Sequence, residues 1–252
     1  MNKVILITGT TSGIGLNLIK RLSLNNKIIC VNRSETLDES LKLNNNLSFY
    51  KIDITNYNEV KKFTENLLLK IVPDIYIFNA GINKYDNKEF FDISIYRDVF
   101  DINLYGVLNF VSVLEKNKIK QKKIIFMSSV SNLIPNPASL GYYSSKLLLK
   151  NLAKQLNKNK TNVYKTAILS PIKTQISRDL DAPKRLAGKI YDLLAVEKEE
   201  MLPSFEKFIN NNKKVYYFTK VSYLFYLTLK IVLFFFPNVY QGGKENNIKN
   251  NN

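Results

Sequence analysis

Short apolar runs rich in β-branched residues alternate along this chain with longer segments of helical pattern. The runs predict strands at residues 3–8, 27–31, 47–52, 74–79, 122–128 and 162–169, and a further short strand at 214–218. The helical segments lie near residues 14–25, 57–70, 93–117 and 142–158. Continuous apolar strands separated by helices are typical of a parallel sheet covered on both faces. The pattern predicts a doubly wound α/β fold with a central parallel sheet of about seven strands.

The chain is predicted to form one domain over residues 1–243. Its 252 residues suffice for one α/β core, and no linker divides them. Residues 175–213 are more polar and contain Pro183 and Pro203, which predicts helices outside the main sheet. Residues 244–252 lack the apolar content to pack and are predicted to be a disordered tail.

The chain contains no histidine and a single cysteine, Cys30. A Ser-His-Asp hydrolase and a His-ligated metal site are therefore excluded, and no metal site is predicted. Proton transfer must use a carboxylate, the cysteine, a lysine or a tyrosine. A lone cysteine forms no intrachain disulfide, which suits a reducing compartment, and the N-terminal residues do not resemble a secretory signal. These features predict a cytoplasmic protein.

The formal net charge of +16 raises the question of a polyanionic partner. The excess is almost entirely lysine, interspersed with asparagine; the arginines are Arg21, Arg33, Arg97, Arg178 and Arg185. Arginine is the residue most used to read bases, so no specific nucleic-acid binding is predicted. A weak attraction to anionic membrane or phosphate is favoured instead.

A glycine-rich turn, TGTTSGIG at residues 8–15, joins the first predicted strand to the first helix. Gly9, Gly13 and Gly15 allow a tight turn and a close approach of the backbone to a phosphate. The helix that follows offers unpaired N–H groups to a pyrophosphate. The alternative is a strand–helix turn without a ligand, and the turn alone does not decide between them.

Four further motifs follow in order: FNAG at 78–81, DIN at 101–103, MSSV at 127–130 and GYYSSK at 141–146. Together with the glycine turn they resemble the landmarks of the classical short-chain dehydrogenase/reductase family. The resemblance covers roughly residues 3–174. Phe78 replaces the first asparagine of one motif, and Leu169 and Ser170 replace a usual Pro-Gly. The resemblance implies a single-domain Rossmann fold and a homodimer or homotetramer.

Two tyrosines compete for a role beside Lys146. Tyr142 and Tyr143 precede this lysine by four and three residues, and both spacings bring side chains together on a helix. Geometry alone therefore leaves the choice open. The family pattern Tyr-x3-Lys selects Tyr142, and it places the serine thirteen positions upstream, at Ser129 and not Ser128.

The resemblance also implies the chemistry, which is the interconversion of a ketone and a secondary alcohol. Ser129 would hydrogen-bond to the carbonyl oxygen, and Tyr142 would protonate it as hydride arrives from the nicotinamide. Lys146 would hold the ribose and lower the pKa of Tyr142, which is near 10 in a free tyrosine. Asn103 would hold a water that returns protons to Lys146.

The end of the second predicted strand favours NADP(H) over NAD(H). NAD sites usually carry an acidic residue there, whereas this chain has Asn32 followed by Arg33, which suits a 2′-phosphate. Asp53 resembles the adenine contact, and Thr174 the residue that meets the nicotinamide carboxamide. The predicted cofactor-binding residues are Gly9, Thr11, Ser12, Gly13, Ile14, Gly15, Arg33, Asp53, Ile54, Asn79, Ala80, Gly81, Tyr142, Lys146, Ile172 and Thr174.

The C-terminal segment 220–237 contains an apolar run, VSYLFYLTLKIVLFFF, that is too short to span a bilayer. It is predicted to be a helix with three open roles: part of the core or a dimer contact, a peripheral membrane contact, or a cover over a lipophilic substrate. Residues 175–213 are predicted to close over the substrate. The alternative functions are a nucleotide-sensing regulatory protein on the same fold, a nucleotide-sugar-modifying enzyme, and a structural protein at a membrane surface.

Overall fold

The computed structural model describes residues 2–35, 39–85, 92–130, 139–159, 161–170 and 196–218, together with residue 231. The predictions for Ile172 and Thr174, for nearly all of the C-terminal segment and for the tail lie outside the described residues. Within those residues, no helix has the length and apolar character needed to cross a membrane.

The core of the molecule is a seven-stranded sheet in which every neighbouring pair of strands is parallel. The strand order is β3-β2-β1-β4-β5-β6-β7. The prediction of a doubly wound parallel α/β fold is confirmed. The strands are β1 (Val4–Thr8), β2 (Lys27–Asn32), β3 (Leu47–Lys51), β4 (Ile75–Phe78), β5 (Lys123–Ser129), β6 (Val163–Leu169) and β7 (Val215–Phe218).

The described helices cover both faces of this sheet. They are α1 (Gly13–Leu22), α2 (Glu39–Lys42), α3 (Tyr57–Phe63), α4 (Ile93–Phe100), α5 (Gly106–Lys116), α6 (Leu140–Leu156) and α7 (Lys198–Asn210). Alternate residues of a strand point to opposite faces. Ile5 and Ile7 of β1 therefore pack on the face covered by α1 and α7, while Leu6 packs among residues of α3, α5 and α6 on the other.

Two predicted helices contain a change of register. Helix α3 continues as a π-helical turn at Thr64–Leu68, and α4 is joined to α5 by a π-helical turn at Asp101–Tyr105. The predicted helix at 93–117 is thus three consecutive helical segments. The second π-helical turn carries Asn103, which is fully buried.

Helix α7 lies within the segment predicted to cover the substrate, yet it contributes to the core. Its buried residues are Met201, Phe205, Phe208 and Ile209. Pro203 lies inside this helix, although proline is unfavourable in a helix interior. The burial of this apolar face offsets the cost of a proline inside the helix.

Two lysines of the sheet bind the C-terminal end of α7. The buried Lys165 Nζ donates to the Phe208 and Asn211 carbonyls, the latter at 2.9 Å. Lys123 Nζ donates to the Ile209 and Asn210 carbonyls at 3.2 and 3.1 Å. Both ammonium groups satisfy carbonyls that a helix end leaves unpaired, and they face the negative end of the helix dipole.

Candidate active site

The glycine-rich turn leaves the carboxyl end of β1 in a conformation that requires glycine. Gly9 and Gly13 have φ angles of +70° and +56°, a region that L side chains rarely adopt. A Cβ atom at Gly9 would also lie 2.7 Å from the Ala80 Cα atom. The turn and the segment after β4 are therefore in direct contact.

Gly15 and Asn79 hold the turn from two sides. A Cβ atom at Gly15 would lie 2.0 Å from the Gly9 carbonyl oxygen, so the first turn of α1 packs directly on the loop. Asn79 Nδ2 donates to the same oxygen at 2.8 Å. Thr8 Oγ1 accepts from the backbone N–H groups of Asn79 and Ala80. The structure thus gives Asn79 a contact with the turn itself.

Helix α1 presents its N-terminus to a cleft at the carboxyl edge of the sheet. The preceding residue, Ser12, makes no side-chain hydrogen bond to the helix. The first N–H groups of α1 are therefore not bound by that hydroxyl. Such a helix end attracts anions, and the glycine turn lets a phosphate approach it.

The cleft has a volume of about 290 Å³. It contains most of the described residues that the sequence predicted for cofactor binding: Gly9, Thr11, Ser12, Gly13, Ile14, Arg33, Asp53, Ile54, Asn79, Ala80, Gly81, Tyr142 and Lys146. Gly15 does not line the cleft, and its contact with Gly9 explains its place in the motif. The cleft also has lining residues that sequence reasoning did not select: Val31, Asn32, Ser34, Ile52, Thr55, Ile82, Ile102, Met127, Ser128 and Leu169.

Asn32 is tied to the glycine turn. Its Oδ1 atom accepts from Thr10 N at 2.6 Å and from Thr10 Oγ1 at 3.1 Å, while its Nδ2 atom lies 2.9 Å from the same hydroxyl. The buried Cys30 also meets Thr10, and burial raises the pKa of its thiol to about 12. This thiol is protonated at neutral pH, which does not suit a nucleophile. Arg33, in contrast, is exposed and lines the cleft.

Asp53, which follows the neighbouring strand β3 and also lines the cleft, is held by nearby residues. Its Oδ1 atom accepts from Thr55 N at 2.9 Å and from Thr55 Oγ1 at 2.8 Å. Its backbone N–H donates to Glu59 Oε2 at 2.9 Å. The carboxylate is therefore oriented through Oδ1, and Oδ2 is the oxygen that a ligand in the cleft would use.

Tyr142, Ser129 and Lys146 meet where β5 ends and α6 begins. The Ser129 hydroxyl hydrogen-bonds to the Tyr142 phenol. Lys146 Nζ lies 5.5 Å from the centre of the Tyr142 ring and donates to the Met127 carbonyl oxygen at 2.9 Å. The structure thus brings together three residues that the sequence selected. Tyr143 is a half-buried neighbour on the same helix.

The side chains of the two adjacent serines of β5, Ser128 and Ser129, make different contacts. Successive residues of a strand point to opposite faces. Ser128 Oγ donates to the Lys146 carbonyl oxygen at 2.9 Å and so ties the strand to α6. Ser129 instead meets the phenol of Tyr142. Ser128, and not Ser129, is among the residues that line the cleft, so the choice of Ser129 rests on the motif spacing and on its hydrogen bond to Tyr142.

The side chain of Asn103 is engaged by the protein itself. Its Oδ1 atom accepts from Ile82 N at 2.8 Å, and its Nδ2 atom donates to Ile82 O at 2.9 Å and Ser145 Oγ at 3.1 Å. Both amide hydrogens are used. A Cβ atom at Gly81 would lie 3.0 Å from Asn103 Oδ1 and 3.3 Å from Lys146 Nζ. Because Gly81 has no side chain, a space stays open between Asn103 Oδ1 and Lys146 Nζ.

Burial shifts the pKa values of Tyr142 and Lys146 in opposite directions. It raises the pKa of Tyr142, and the Ser129 hydrogen bond lowers it only in part. It lowers the pKa of Lys146 from 10.5 to about 8. The expected lowering of the pKa of Tyr142 is therefore not found, because desolvation disfavours the phenolate. At pH 7 the phenol holds its proton and the lysine is largely cationic.

The fold and the cleft define a doubly wound protein with a dinucleotide-type phosphate turn. No cluster of acidic or cysteine side chains suited to a metal ion occurs in the part of the chain that the structure describes. A family model described as short chain dehydrogenase matches residues 3–184. The chain belongs to this family, as the five motifs indicated.

Similar proteins include (+)-borneol dehydrogenase 2 of Salvia officinalis. It is 29% identical over 173 residues, which are 63% of this chain and 61% of that protein. The chain therefore spans less than two thirds of this relative. A solved 4-hydroxyisoleucine dehydrogenase in complex with NADH has a TM-score of 0.72 and 24% identity, covering 86% of this chain and 96% of that one. A short chain dehydrogenase of Burkholderia cenocepacia in complex with NADP has a TM-score of 0.71 and 19% identity, covering 92% of each chain.

Proposed function

We propose that this protein is an NADP(H)-dependent oxidoreductase that interconverts a ketone and a secondary alcohol. The observation that carries the proposal is the Ser129–Tyr142 hydrogen bond beside the Lys146 ammonium, because Tyr142 and Lys146 both line the cleft that begins at the glycine turn. Hydride transfer to a carbonyl carbon requires a proton for the oxygen, and we assign its donation to Tyr142.

The residues of the cleft suit a nicotinamide dinucleotide. The N-terminus of α1 and the backbone around Gly9 and Gly13 would bind the pyrophosphate, and Asp53 lies where a base could donate to it. Lys146 would contact the ribose. Bound there, the cofactor would supply or accept the hydride.

Tyr142 acts as the proton donor in the reductive direction. The hydroxyl of Ser129 donates to the carbonyl oxygen of the substrate and orients it, and the phenolic proton moves to that oxygen as negative charge develops on it. The Lys146 ammonium, 5.5 Å from the ring, stabilises the phenolate that remains. In the oxidative direction the same phenolate accepts the proton of the alcohol.

Proton resupply runs through the space beside Gly81. Asn103 Oδ1 keeps one lone pair after its bond to Ile82 N, and this lone pair would hold a water close to Lys146. The amide hydrogens of Asn103 are already bound to Ile82 O and Ser145 Oγ. Asn103 therefore also fixes the segment after β4 against α6.

The preference for NADP(H) rests on Arg33 and Asn32. Both lone pairs of Asn32 Oδ1 accept from Thr10, so Asn32 offers the ribose 2′-hydroxyl neither a carboxylate nor an unoccupied amide oxygen. Arg33 lines the cleft with an exposed guanidinium, which matches a 2′-phosphate in charge and geometry. Solved neighbours hold NADP or NADH, so the fold itself accepts either cofactor.

The substrate is proposed to be lipophilic. Ile82, Ile102 and Leu169 give the cleft apolar walls near the reactive tyrosine. A relative is named for borneol, a secondary alcohol on a hydrocarbon skeleton. An apolar wall of this kind binds such a skeleton by removing it from water.

The test uses purified full-length protein, NADPH deuterated at the transferable C4 position, and ketones of terpenoid, fatty-acyl, sterol, sugar and small-molecule type. We expect deuterium on the carbinol carbon of at least one product, with an apolar ketone the best substrate. NADPH binding without label transfer to any ketone would contradict the proposal and favour a nucleotide sensor. Faster turnover of sugar ketones than of apolar ones would contradict the substrate class alone.

A further inference from the structure

The loops that enter the strands form a surface opposite the cofactor cleft. Because all paired strands are parallel, these loops lie together at the amino edge of the sheet. Within their described residues, 2–3, 23–26, 43–46, 69–74, 117–122, 157–159, 161–162 and 211–214, the one acidic residue is Asp74. Its carboxylate accepts from the Val4 backbone N–H at 3.0 Å. The exposed lysines of these loops and of the first strand residues are Lys27, Lys70, Lys118, Lys120, Lys158, Lys213 and Lys214.

Exposed aliphatic side chains occupy the same edge. They are Leu24, Leu43, Leu69, Ile71, Val72, Val163 and Val215. Leu43 is 83% exposed and Leu24 66% exposed, although neither side chain gains anything from contact with water. Residues 69–72, with the sequence LKIV, are all exposed. We call these lysines and aliphatic residues together the amino-edge surface.

The loop between α5 and β5 presents its lysines from a fixed backbone. Lys118 and Gln121 have φ angles of 54° and 60°, which cost energy in residues other than glycine. The conformation is held by hydrogen bonds from Gln121 N to Thr161 O at 2.9 Å and from Ile119 N to Leu114 O at 3.0 Å. Lys118 and Lys120 therefore project from an ordered loop.

The opposite edge has a different charge. Acidic residues stand near the carboxyl ends of the strands and at the helix starts that follow them, among them Glu35, Asp53, Asp92, Glu199 and Glu200. Among the described residues, basic groups such as Arg33 and Lys84 also stand near that edge, so it carries both signs, whereas the described loops of the amino edge carry several lysines and one acidic residue. A surface with one sign of charge attracts partners of the other sign over several ångströms.

We propose that the amino-edge surface docks the protein on an anionic lipid bilayer. Lysines attract anionic headgroups, and exposed aliphatic side chains among them enter the interfacial region. Nucleic acid fits less well. The described loops contain neither arginine for base recognition nor an aromatic ring for base stacking, and aliphatic side chains gain nothing against phosphates.

Docking through this surface sets the orientation of the protein. The cofactor cleft lies at the carboxyl edge, so it would face the aqueous phase and remain open to a soluble cofactor. The proposal does not depend on the catalytic role of Tyr142, and an inactive Tyr142→Phe variant would dock equally well.

The test is sedimentation of the full-length protein with vesicles of phosphatidylcholine alone or with added phosphatidylglycerol. We expect binding only to the anionic vesicles, weakened by high salt. Replacing Lys213 and Lys214 by glutamate should reduce the binding constant by about tenfold or more. The matched control replaces Lys61 and Lys62, another exposed adjacent pair, which lie on α3. Equal losses in the two variants, or none in either, would overturn the proposal.

A second variant separates a bilayer from other polyanions. Ile71→Ser with Val72→Ser keeps every charge and should reduce vesicle binding by roughly fivefold or more, because it removes two side chains that enter the interface. Binding of a single-stranded RNA should not respond to this variant. Vesicle binding that is unchanged by the serine substitutions, or RNA binding tighter than anionic-vesicle binding, would overturn the bilayer as the partner. If the protein self-associates and the glutamate substitutions at Lys213 and Lys214 abolish that association, the bilayer would also be overturned as the partner. A second copy of the chain would then be the favoured partner of this surface.

Discussion

The contact between Gly15 and the glycine turn is too close for any side chain. A Cβ atom there would lie 2.0 Å from the Gly9 carbonyl oxygen and 2.7 Å from Asn79 Nδ2. We expect Gly15→Ala to lower the free energy of unfolding by about 2 kcal/mol, since the backbone must move, and to weaken NADPH binding. Chemical denaturation and a fluorescence titration measure the two effects.

Gly141→Ala is the matched control for that substitution. Its added Cβ atom would approach Tyr96 no closer than 3.4 Å, which is an ordinary contact, and the residue lies in helix α6. Alanine is the better helix former, so stability should stay equal or rise by up to about 1 kcal/mol. Equal losses in the two variants would show that the turn has no special packing requirement.

Arg33 is expected to distinguish the two nicotinamide cofactors. Arg33→Ala removes the guanidinium that would bind a 2′-phosphate, and we expect KM for NADPH to rise roughly 10–100-fold with little change for NADH. Arg21→Ala serves as the control, because Arg21 forms an exposed ion pair with Glu206 outside the cleft. Equal changes for both cofactors after the Arg33 substitution would reverse the assignment.

Burial of Lys146 makes stability depend on pH. Its pKa is about 8 in the folded protein and 10.5 in its ordinary state, so the unfolded chain binds more protons between these values. The contribution of this group to the free energy of unfolding therefore rises as pH increases from about 8 to 10.5, by on the order of 2 kcal/mol.

The comparison of wild type with Lys146→Met tests this directly. Urea denaturation at several pH values should show the wild type gaining stability relative to the variant as pH rises from 8 to 10. The exposed Lys154, on the same helix, provides the control as Lys154→Met. A wild-type profile parallel to that of Lys146→Met would contradict the burial of the ammonium.

Among the secondary-structure elements, the sequence predicted the positions of the strands closely, whereas it missed features of several helices. Continuous apolar runs require burial on both faces, so the strand positions carry a strong signal. The π-helical turn at Asp101–Tyr105 inserts its extra residue without disturbing the apolar pattern, and no periodicity reveals it. Helix α7 passes through Pro203 because its apolar face and the bonds from Lys123 and Lys165 outweigh the local penalty.

The alternation of side chains along β5 predicts different results for its two last residues. Ser129→Ala should lower kcat by roughly 100-fold, because its hydroxyl is proposed to bind the carbonyl oxygen, and should lower the free energy of unfolding by at most about 1 kcal/mol through the lost bond to Tyr142. Ser128→Ala should lower the free energy of unfolding by about 1 kcal/mol, since it loses the bond to the Lys146 carbonyl oxygen, with a smaller effect on kcat. A larger loss of kcat in Ser128→Ala than in Ser129→Ala would show that Ser128, and not Ser129, binds the substrate carbonyl oxygen.

At the scale of the whole molecule, motif order located the cleft, whereas its supporting contacts could not be read from the sequence. The bonds of Asn32 to Thr10 and of Asn103 to Ile82 join residues that the fold brings together from different strands and helices. The same holds for the raised pKa of Tyr142, which results from burial. The oligomeric state and the role of the apolar C-terminal segment stay predictions.

The central claim is that Tyr142 is the proton donor, and the adjacent Tyr143 offers the most direct test. Steady-state rates would be measured for wild type, Tyr142→Phe and Tyr143→Phe with NADPH and the best ketone of the panel. The account predicts that Tyr142→Phe lowers kcat by about 1,000-fold while NADPH still binds, and that Tyr143→Phe stays within about threefold of wild type. Full activity in Tyr142→Phe, or loss confined to Tyr143→Phe, would contradict it.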